Sequence, residues 1–240
     1  MKIAIIGYGK MGKLIEQIAR ERHHEISCVI DADNTEDFES EAFRKSDVAI
    51  EFTTPASAVD DILKCFTSGV PVVSGTTGWQ DSLPTLKDMC EKGKGTLFYA
   101  SNFSVGMNIF MSVNRYLTKL MNNYENYSPS LSEVHHVHKL DHPSGTAITL
   151  AEDLVRLSDR IKGWFEPEGS KMKKGKLPIY HKREGEVPGI HTVTWESECD
   201  SISITHSAKN RNGFALGAVL AAEWLKGRKG YFTMADMMGI

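Results

Sequence analysis

Four of the nine histidines in this 240-residue chain lie in one short stretch, HHVHKLDHPSGTA (residues 135–147). The same stretch carries a lysine, an aspartate and a Pro-Ser-Gly-Thr turn. Imidazoles transfer protons near neutral pH and also bind metals, whereas a lysine beside a helix N-terminus binds anions. The residue types therefore leave three interpretations open: a metal site, a site for anion binding and proton transfer, or a structural polar loop.

A strand over residues 131–139 would place alternate side chains on opposite faces, so that His135 and Lys139 share one face. Zinc held by His135 with His138, or by His138 with His142, would then lie beside an ammonium group, and no cysteine is close in sequence. The sequence therefore predicts no metal ligands here. A purely structural loop remains an alternative to the anion and proton-transfer site.

The Pro-Ser-Gly-Thr turn predicts the start of a helix over residues 144–161. Ser144 is a typical N-cap residue, and the N–H groups of Gly145 and Thr146 would then be free to bind an anion. A carboxylate suits such a pocket, because the pocket combines a helix N-terminus, a threonine hydroxyl, a lysine and imidazoles. We therefore expect a substrate carboxylate at this turn.

A second motif, GYGKMG, lies at the start of the chain between an apolar run and a helical pattern. In such a motif Gly7 permits a tight turn, Gly9 lets a pyrophosphate approach the backbone, and Gly12 lets helix and strand pack closely. Asp31 ends the second predicted strand, where an acid can accept hydrogen bonds from ribose hydroxyls. The sequence thus favours a dinucleotide site over a glycine turn with another ligand.

The segment that begins at Asp31 reads DADN and contains no arginine. A 2′-phosphate would meet carboxylates there, which predicts a preference for NADH, with NADPH possible if Lys10 or Lys13 approaches. Two further segments, SGTTG (residues 74–78) and ASNFSVG (residues 100–106), follow predicted strands. Each is either a loop near the nicotinamide or an ordinary turn between strand and helix.

Composition excludes several classes of protein. With 41% hydrophobic residues, 25% charged residues and a net charge of −3, the chain is globular and unsuited to general binding of nucleic acid or anionic membranes. The four cysteines are scattered, which indicates reduced thiols. The first apolar run is too short and too interrupted by glycine for a signal peptide or membrane span. We expect a cytoplasmic protein without nucleic-acid or membrane partners.

Strand and helix patterns alternate up to about residue 104, which predicts right-handed crossovers and a parallel sheet. The pattern then changes, and residues 163–189 have little periodicity, which predicts a long loop. The other later predictions are helices over 106–123, 144–161 and 214–227, a strand over 130–138, and a hairpin of 191–198 with 201–209.

The chain resembles the dihydrodipicolinate reductase family. The resemblance lies in five motifs that follow the order of the family over nearly the whole chain: GYGKMG, GTTG, ASNFSVG, EVHHVHKLDHPSGTA and ITHSAKNRNGFALGAV. The resemblance implies an α/β fold: an N-terminal Rossmann-type doubly wound parallel sheet, plus an α+β substrate and oligomerisation domain with a mixed sheet. It implies a dinucleotide-binding domain of residues 1–105 with 213–240, and a substrate-binding and tetramerisation domain of residues 106–212.

The resemblance also implies an activity and an assembly. The activity is the NAD(P)H-dependent reduction of 4-hydroxy-tetrahydrodipicolinate, a cyclic dicarboxylate, to tetrahydrodipicolinate in diaminopimelate and lysine biosynthesis. The assembly is a homotetramer built through the mixed sheet.

Individual roles follow from the same resemblance. His135 falls where the family has its proton-donating histidine, and Lys139 where it has its catalytic lysine. The substrate-binding residues that it implies are His136, Ser144, Gly145 and Thr146. The cofactor-binding residues that it implies are Gly7, Tyr8, Gly9, Lys10, Met11, Gly12, Asp31, Gly75, Thr76, Thr77, Ala100, Ser101, Asn102, Phe103 and Arg211.

Two other classes compete with the reductase. A sugar or semialdehyde dehydrogenase on a Rossmann fold needs a different catalytic set, such as a Glu-Lys-Pro triplet, whereas residues 70–78 read VPVVSGTTG. A non-catalytic NAD-sensing regulator could lose its acid and its lysine, but this chain keeps His135 and Lys139. The residues therefore favour the reductase.

Overall fold

The computed structural model describes residues 1–167, 169 and 173–240. It divides into two compact units: the first comprises Met1–Val105 and Asn212–Ile240, and the second Gly106–Arg211. The strands are β1 (Lys2–Ile6), β2 (Glu25–Ile30), β3 (Val48–Glu51), β4 (Val72–Ser74), β5 (Leu97–Tyr99), β6 (Ser128–His135), β7 (Trp164–Phe165), β8 (Leu177–Arg183), β9 (Gly189–Glu196), β10 (Ser201–Ala208) and β11 (Tyr231–Phe232). The helices are α1 (Lys10–Glu21), α2 (Glu41–Arg44), α3 (Ala58–Thr67), α4 (Leu83–Glu91), α5 (Val105–Met121), α6 (Gly145–Leu157), α7 (Asn212–Leu225) and α8 (Met234–Met238), with short 3-10 helices at Thr35–Glu39 and Gln80–Ser82.

The first unit is built on a parallel sheet with the strand order β2-β1-β3-β4-β5-β11. The connections from β1 and from β3 leave in opposite directions, which opens a crevice beyond the carboxyl ends of these two strands. The last strand, β11, comes from the C-terminal segment and pairs with β5. The predicted Rossmann-type parallel sheet is confirmed.

Alternate residues of β1 pack into different cores on the two faces of this sheet. Ile3 and Ile5 belong to the core that α1 and α7 cover. Ala4 and Ile6 belong to the core that α3 and α4 cover. All four side chains are at most 1% exposed, so β1 is buried on both sides, as its continuous apolar run predicts.

The second unit is a mixed sheet with the strand order β10-β9-β6-β8-β7 among the described residues. β6 pairs with β8 in parallel and with β9 antiparallel, and β9 forms a hairpin with β10. Helices α5 and α6 cover one face through a core that includes Leu131, Val193 and Trp195. The opposite face carries exposed cross-strand hydroxyl pairs, such as Thr194 with Ser203 at 2.8 Å between oxygens. The predicted mixed sheet and hairpin are confirmed.

Two predictions about this unit are wrong. Residues 163–189 are not one long loop, because β7 and β8 lie within them, whereas residues 168 and 170–172 lie outside the described ones. The buried part of β8 is only Leu177, Pro178 and Ile179, which is too short a run to show periodicity in the sequence. The strand predicted to include Lys139 ends at His135.

Several short elements were not predicted from the sequence, namely α2, β11 and α8, each of five residues or fewer. Elements of this length do not complete a hydrophobic period, so the pattern of the sequence does not reveal them. Among the described residues, no helix is long and apolar enough to cross a membrane.

The contact between α7 and the loop after β5 gives a test of the packing. A Cβ atom added to Gly217 would lie 1.8 Å from the carbonyl oxygen of Phe103. We expect Gly217→Ala to lower the free energy of unfolding by about 1–3 kcal/mol, because the helix and the loop must separate. Gly213→Ala in the same helix is the control, since its nearest described atom lies 3.9 Å away. Chemical denaturation measures both variants, and equal stability would contradict the close packing.

Candidate active site

The GYGKMG turn has the geometry of a phosphate-binding loop. Gly7 adopts φ +87°, and a Cβ there would lie 2.1 Å from the carbonyl oxygen of Phe52. A Cβ on Gly12 would lie 2.1 Å from the carbonyl oxygen of Gly7, whereas one on Gly9 would meet no described atom within 4 Å. The first and third glycines are therefore needed for packing, and the second leaves the backbone open to a ligand.

Helix α1 begins at this turn with uncompensated backbone groups. Gly9 is its N-cap and makes no side-chain cap, and the first turn of the helix contains no acidic residue. The free N–H groups and the positive end of the helix dipole favour a phosphate. A cleft of about 430 Å³ opens at this point, within the size range of ligand sites. Residues that line it include Gly7, Tyr8, Gly9, Asp31, Ala32 and Thr53.

Asp31 lies at the end of β2, exposed at the edge of this cleft. The loop that follows is held by Asn34, whose Oδ1 accepts the N–H of Asp31 at 2.7 Å. Asn34 also donates to the carboxylate of Asp37 at 2.7 Å. Asp31 therefore brings a carboxylate to this end of the cleft, and the carboxylate of Asp37 belongs to the loop that follows.

The two other predicted cofactor loops follow β4 and β5. The hydroxyl of Thr76 donates to the buried carboxylate of Glu51 at 2.5 Å and accepts the N–H of Thr53 at 2.8 Å, so Thr76 joins two loops. A Cβ on Gly75 would lie 2.2 Å from the Phe52 ring. The remaining predicted residues are placed as follows: Thr77, Ser101, Lys10 and Arg211 are exposed, Tyr8, Met11 and Asn102 are partly buried, and Ala100 and Phe103 are buried in the core.

In the second unit, β6 turns Glu133 and His135 to the same buried face as Leu131. The Glu133 side chain is 0% exposed. Each of its oxygens accepts the N–H of Ser144 at 3.2 Å, and Oε1 accepts from the Arg183 guanidinium at 3.3 Å. A buried carboxylate needs several such donors to remain ionised.

Burial alone would raise the pKa of Glu133, but hydrogen bonds from His191 and Ser144 and the nearby His135 outweigh it and lower the pKa to about 2. The same surroundings act differently on His135. Burial, together with the neighbouring His191, lowers its pKa below the ordinary value of 6.5. Nε2 of His135 lies 3.4 Å from Nε2 of His191 and 3.5 Å from Oε2 of Glu133.

Lys139 lies in the loop after β6, so the expectation that it shares a strand face with His135 is wrong. Its Nζ donates to both carboxylate oxygens of Asp141 at 2.8 Å. The intervening His136 is partly buried, and its Nδ1 has no hydrogen-bond partner among the described residues. The loop thus carries a paired ammonium and a buried imidazole nitrogen without a described partner.

Ser144 is the N-cap of α6, as the sequence predicts. Its Oγ accepts the N–H of Ala147 and lies 3.2 Å from Nε2 of His191. Gly145 and Thr146 are the first two residues of the helix, so their N–H groups have no partner within it. The start of α6 therefore has the geometry of an anion-binding site, and it directly follows the loop that carries Lys139.

Three residues of this site were missed by the sequence reasoning: Glu133, Arg183 and His191. Glu133 stands two positions before His135, and this spacing within a buried strand could have indicated it. Arg183 falls in the predicted loop. His191 occupies a regular inward position of the hairpin, where a histidine has no distinguishing signal.

Among the described residues, two clusters could offer ligands to a metal ion. In the first, Glu133 with His135 and His191, the guanidinium of Arg183 lies beside the carboxylate and opposes a cation. In the second, the His142 and His181 rings are stacked at 4.2 Å and 20°, and Nδ1 of each lies within 3.1 Å of the same Glu166 oxygen. Each Nδ1 can donate a hydrogen bond to this oxygen, so the three side chains are satisfied without an ion. A site without metal stays a prediction.

Comparison with known proteins decides the family. Residues 1–103 match the family model of the dihydrodipicolinate reductase N-terminus, and residues 106–238 match that of its C-terminus. The chain belongs to the dihydrodipicolinate reductase family. The resemblance drawn from the motifs is confirmed, and with it the class of enzyme, a pyridine-nucleotide-dependent oxidoreductase.

Relatives of this reductase family match over most of the chain. A 4-hydroxy-tetrahydrodipicolinate reductase from Christiangramia forsetii is 48% identical over 238 residues, 99% of this chain and 98% of the relative. One from Archaeoglobus fulgidus is 36% identical over 201 residues, 80% of this chain and 76% of the relative. The structure of a dipicolinate-bound dihydrodipicolinate reductase from Paenisporosarcina has a TM-score of 0.80 at 23% identity, covers 98% of both chains, and supports the fold.

The ionisation of Glu133 predicts how this reductase responds to acid. The folded pKa of about 2 lies below the ordinary 4.5, so the charge stabilises the fold above pH 4.5 and this contribution is lost as the pH falls towards 2. We expect a loss on the order of 3 kcal/mol from this group. Urea denaturation followed by tryptophan fluorescence between pH 2 and 7 measures it. Glu133→Gln should flatten the dependence of the free energy of unfolding on pH. An unchanged slope would show that other groups cause this dependence.

Proposed function

We propose that this chain reduces 4-hydroxy-tetrahydrodipicolinate to tetrahydrodipicolinate in the diaminopimelate and lysine pathway, with a nicotinamide nucleotide as hydride donor. The observation that carries the proposal is the start of α6, where Ser144 caps a helix N-terminus on the loop that carries Lys139. Membership in the reductase family supports the same substrate. The dipicolinate in the Paenisporosarcina structure is a ligand of that protein with the same pair of carboxylates.

One substrate carboxylate binds the N–H groups of Gly145 and Thr146 and the hydroxyl of Thr146. The helix dipole and the charge of Lys139 favour an anion at this position. His136 contacts the substrate as a further binding residue of this loop. Ser144 contributes by capping the helix, since its hydroxyl is engaged by Ala147.

The chemistry requires a hydride and a proton. After loss of water, hydride addition at C4 of the conjugated imine moves an electron pair towards the ring nitrogen and the neighbouring carbon, which then takes up a proton. His135 and Lys139 are the proposed donors. His135 has a lowered pKa in the free protein. A bound dicarboxylate favours its protonated form, because an opposite charge nearby stabilises the imidazolium.

The cofactor binds the first unit, with its pyrophosphate at the start of α1 and its ribose hydroxyls on Asp31. NADH is preferred to NADPH, because the 2′-phosphate would face the carboxylates of Asp31 and its neighbours. The loops after β4 and β5, from Gly75 to Thr77 and from Ala100 to Phe103, lie along the nicotinamide, and Arg211 lies near the cofactor.

The active form is a homotetramer in the cytoplasm. The support for the tetramer is the face of the mixed sheet opposite α5 and α6, where hydroxyl pairs and the half-exposed Tyr180 form a surface. The support for the cytoplasm is that the four cysteines are free thiols.

A direct assay tests the function. The purified chain is mixed with NADH and freshly prepared condensation product of pyruvate and aspartate semialdehyde, and absorbance follows oxidation of the cofactor. Turnover supports the reductase. Binding of NADH without turnover would favour a non-catalytic regulator that keeps the fold.

The cofactor preference is testable on the same assay. We expect kcat/KM for NADH to exceed that for NADPH at least about tenfold, since the 2′-phosphate loses a charge-assisted bond of about 1.5–3 kcal/mol. Asp31→Asn should bring the kcat/KM values for NADH and NADPH closer together. Asp81→Asn removes the same charge from an exposed position elsewhere in the unit and should leave the ratio unchanged. An NADPH value equal to or above that of NADH would refute the role of Asp31.

The proton donor is tested with His135→Gln. We expect kcat to fall by about 10²- to 10⁴-fold while NADH affinity stays near that of the unmutated protein. In the unmutated protein, kcat/KM should decline as the pH rises through the pKa of His135, below 6.5, because the protonated imidazole is the donor. His138→Gln is the control, since that side chain is 72% exposed in the same loop. An unchanged kcat would remove His135 from the mechanism.

A further inference from the structure

Arg183 and Glu133 form an ion pair inside the second unit. Arg183 ends β8 and lies opposite His135 in the parallel register of β6 and β8. Its guanidinium donates to Oε1 of Glu133 at 3.3 and 3.4 Å, and the two side chains are 18% and 0% exposed. The pair is therefore largely removed from solvent, and the packing around it restricts its geometry.

The guanidinium also holds the loop that carries the lysine. Nε of Arg183 donates to the carbonyl oxygen of Lys139 at 3.1 Å, and Nη2 donates to the carbonyl oxygen of Asp141 at 2.7 Å. Both acceptors belong to irregular backbone after β6. Arginine suits this task because its planar fork can bind a carboxylate and separate carbonyls at the same time.

The carboxylate holds the other side of the site. Both oxygens of Glu133 accept the N–H of Ser144, the residue that caps α6. One buried ion pair thus joins the backbone of Lys139 and Asp141 to the N-terminus of α6. A neutral glutamine would keep the Arg183 and Ser144 contacts through one amide oxygen only, and its amide N–H groups would take the place of Oε2 beside the N–H of Ser144.

We propose that the Glu133–Arg183 pair is the positioning element of the substrate site, and that it holds the Lys139 loop and the start of α6 at the separation that binds a carboxylate. Neither residue touches the substrate; both act through backbone groups of the residues that do. The inference rests on the proposed function for the identity of the ligand.

The test measures dipicolinate binding by calorimetry on the full-length protein. Glu133→Gln and Arg183→Lys should weaken dipicolinate at least about tenfold and raise the substrate KM in parallel, while the Kd of NADH stays unchanged. Arg183→Lys keeps the positive charge but not the planar fork of donors. A loss of dipicolinate affinity in this variant would therefore show that the geometry of the guanidinium matters. Thr146→Val, which removes a proposed substrate contact, shows the size of a direct effect.

Asp153→Asn is the matched control. Asp153 lies on α6 and pairs with Arg115 and Arg156, so its loss breaks ion pairs on the same helix without touching the loop. A purely structural role for Glu133 would reduce the folded fraction but leave KM and the dipicolinate Kd per folded molecule unchanged. The fraction with a folded second unit is counted by the stoichiometry of dipicolinate binding in the same calorimetry, because NADH binds the first unit.

Folded variants of both residues with a dipicolinate Kd within about twofold of the unmutated value would overturn the positioning role. If Glu133→Gln does not fold, Arg183→Lys decides the question by the same criterion. An unmutated protein that neither binds dipicolinate nor turns over substrate would refute the proposed function, and the positioning role with it. Binding that is equal in all variants would refute the positioning role alone.

Discussion

A carboxylate that is buried in a sheet must be compensated, and this requirement organises the second unit. The donors to Glu133 come from three other segments: Arg183 on β8, His191 on β9, and Ser144 at the start of α6. They can meet because β6 lies between β8 and β9 in the sheet. The strand order, which is a property of the whole unit, thereby determines which side chains surround His135. Exchange of either neighbouring strand would leave a buried charge unpaired, which costs far more than one lost hydrogen bond.

The first unit contains a buried acid with a different kind of compensation. Glu51, at the end of β3, is 0% exposed and accepts hydrogen bonds from the hydroxyls of Thr53, Ser74 and Thr76. Hydroxyls and a backbone N–H stabilise this carboxylate, whereas Glu133 is paired with a guanidinium. Both acids stand at or near the carboxyl end of a central strand and join loops that follow. A buried charge with several donors restricts loop geometry more strongly than neutral contacts of the same number, because each broken bond exposes the charge to an apolar environment.

Local signals were sufficient for the features that depend on residues adjacent in sequence. The glycine turn, the strands beside it and the Ser144 cap were predictable, because each depends on residues that are adjacent in sequence. The extension of β6 to Lys139 was not correct, since alternation alone does not show where a strand ends. Arg183 could not be placed, because its strand has only three buried residues and its partner is fifty positions away. Pairing across a mixed sheet depends on strand order, and hydrophobic periodicity carries no information about strand order.

The bond between Lys139 and Asp141 has a consequence for anion binding. The ammonium already holds both oxygens of a carboxylate that belongs to its own loop. A ligand that brings a single carboxylate to Lys139 replaces one anion by another, so the electrostatic gain of that exchange is small. The unliganded loop is thus neutralised from within, and an anion gains the full charge of Lys139 only after it has displaced Asp141.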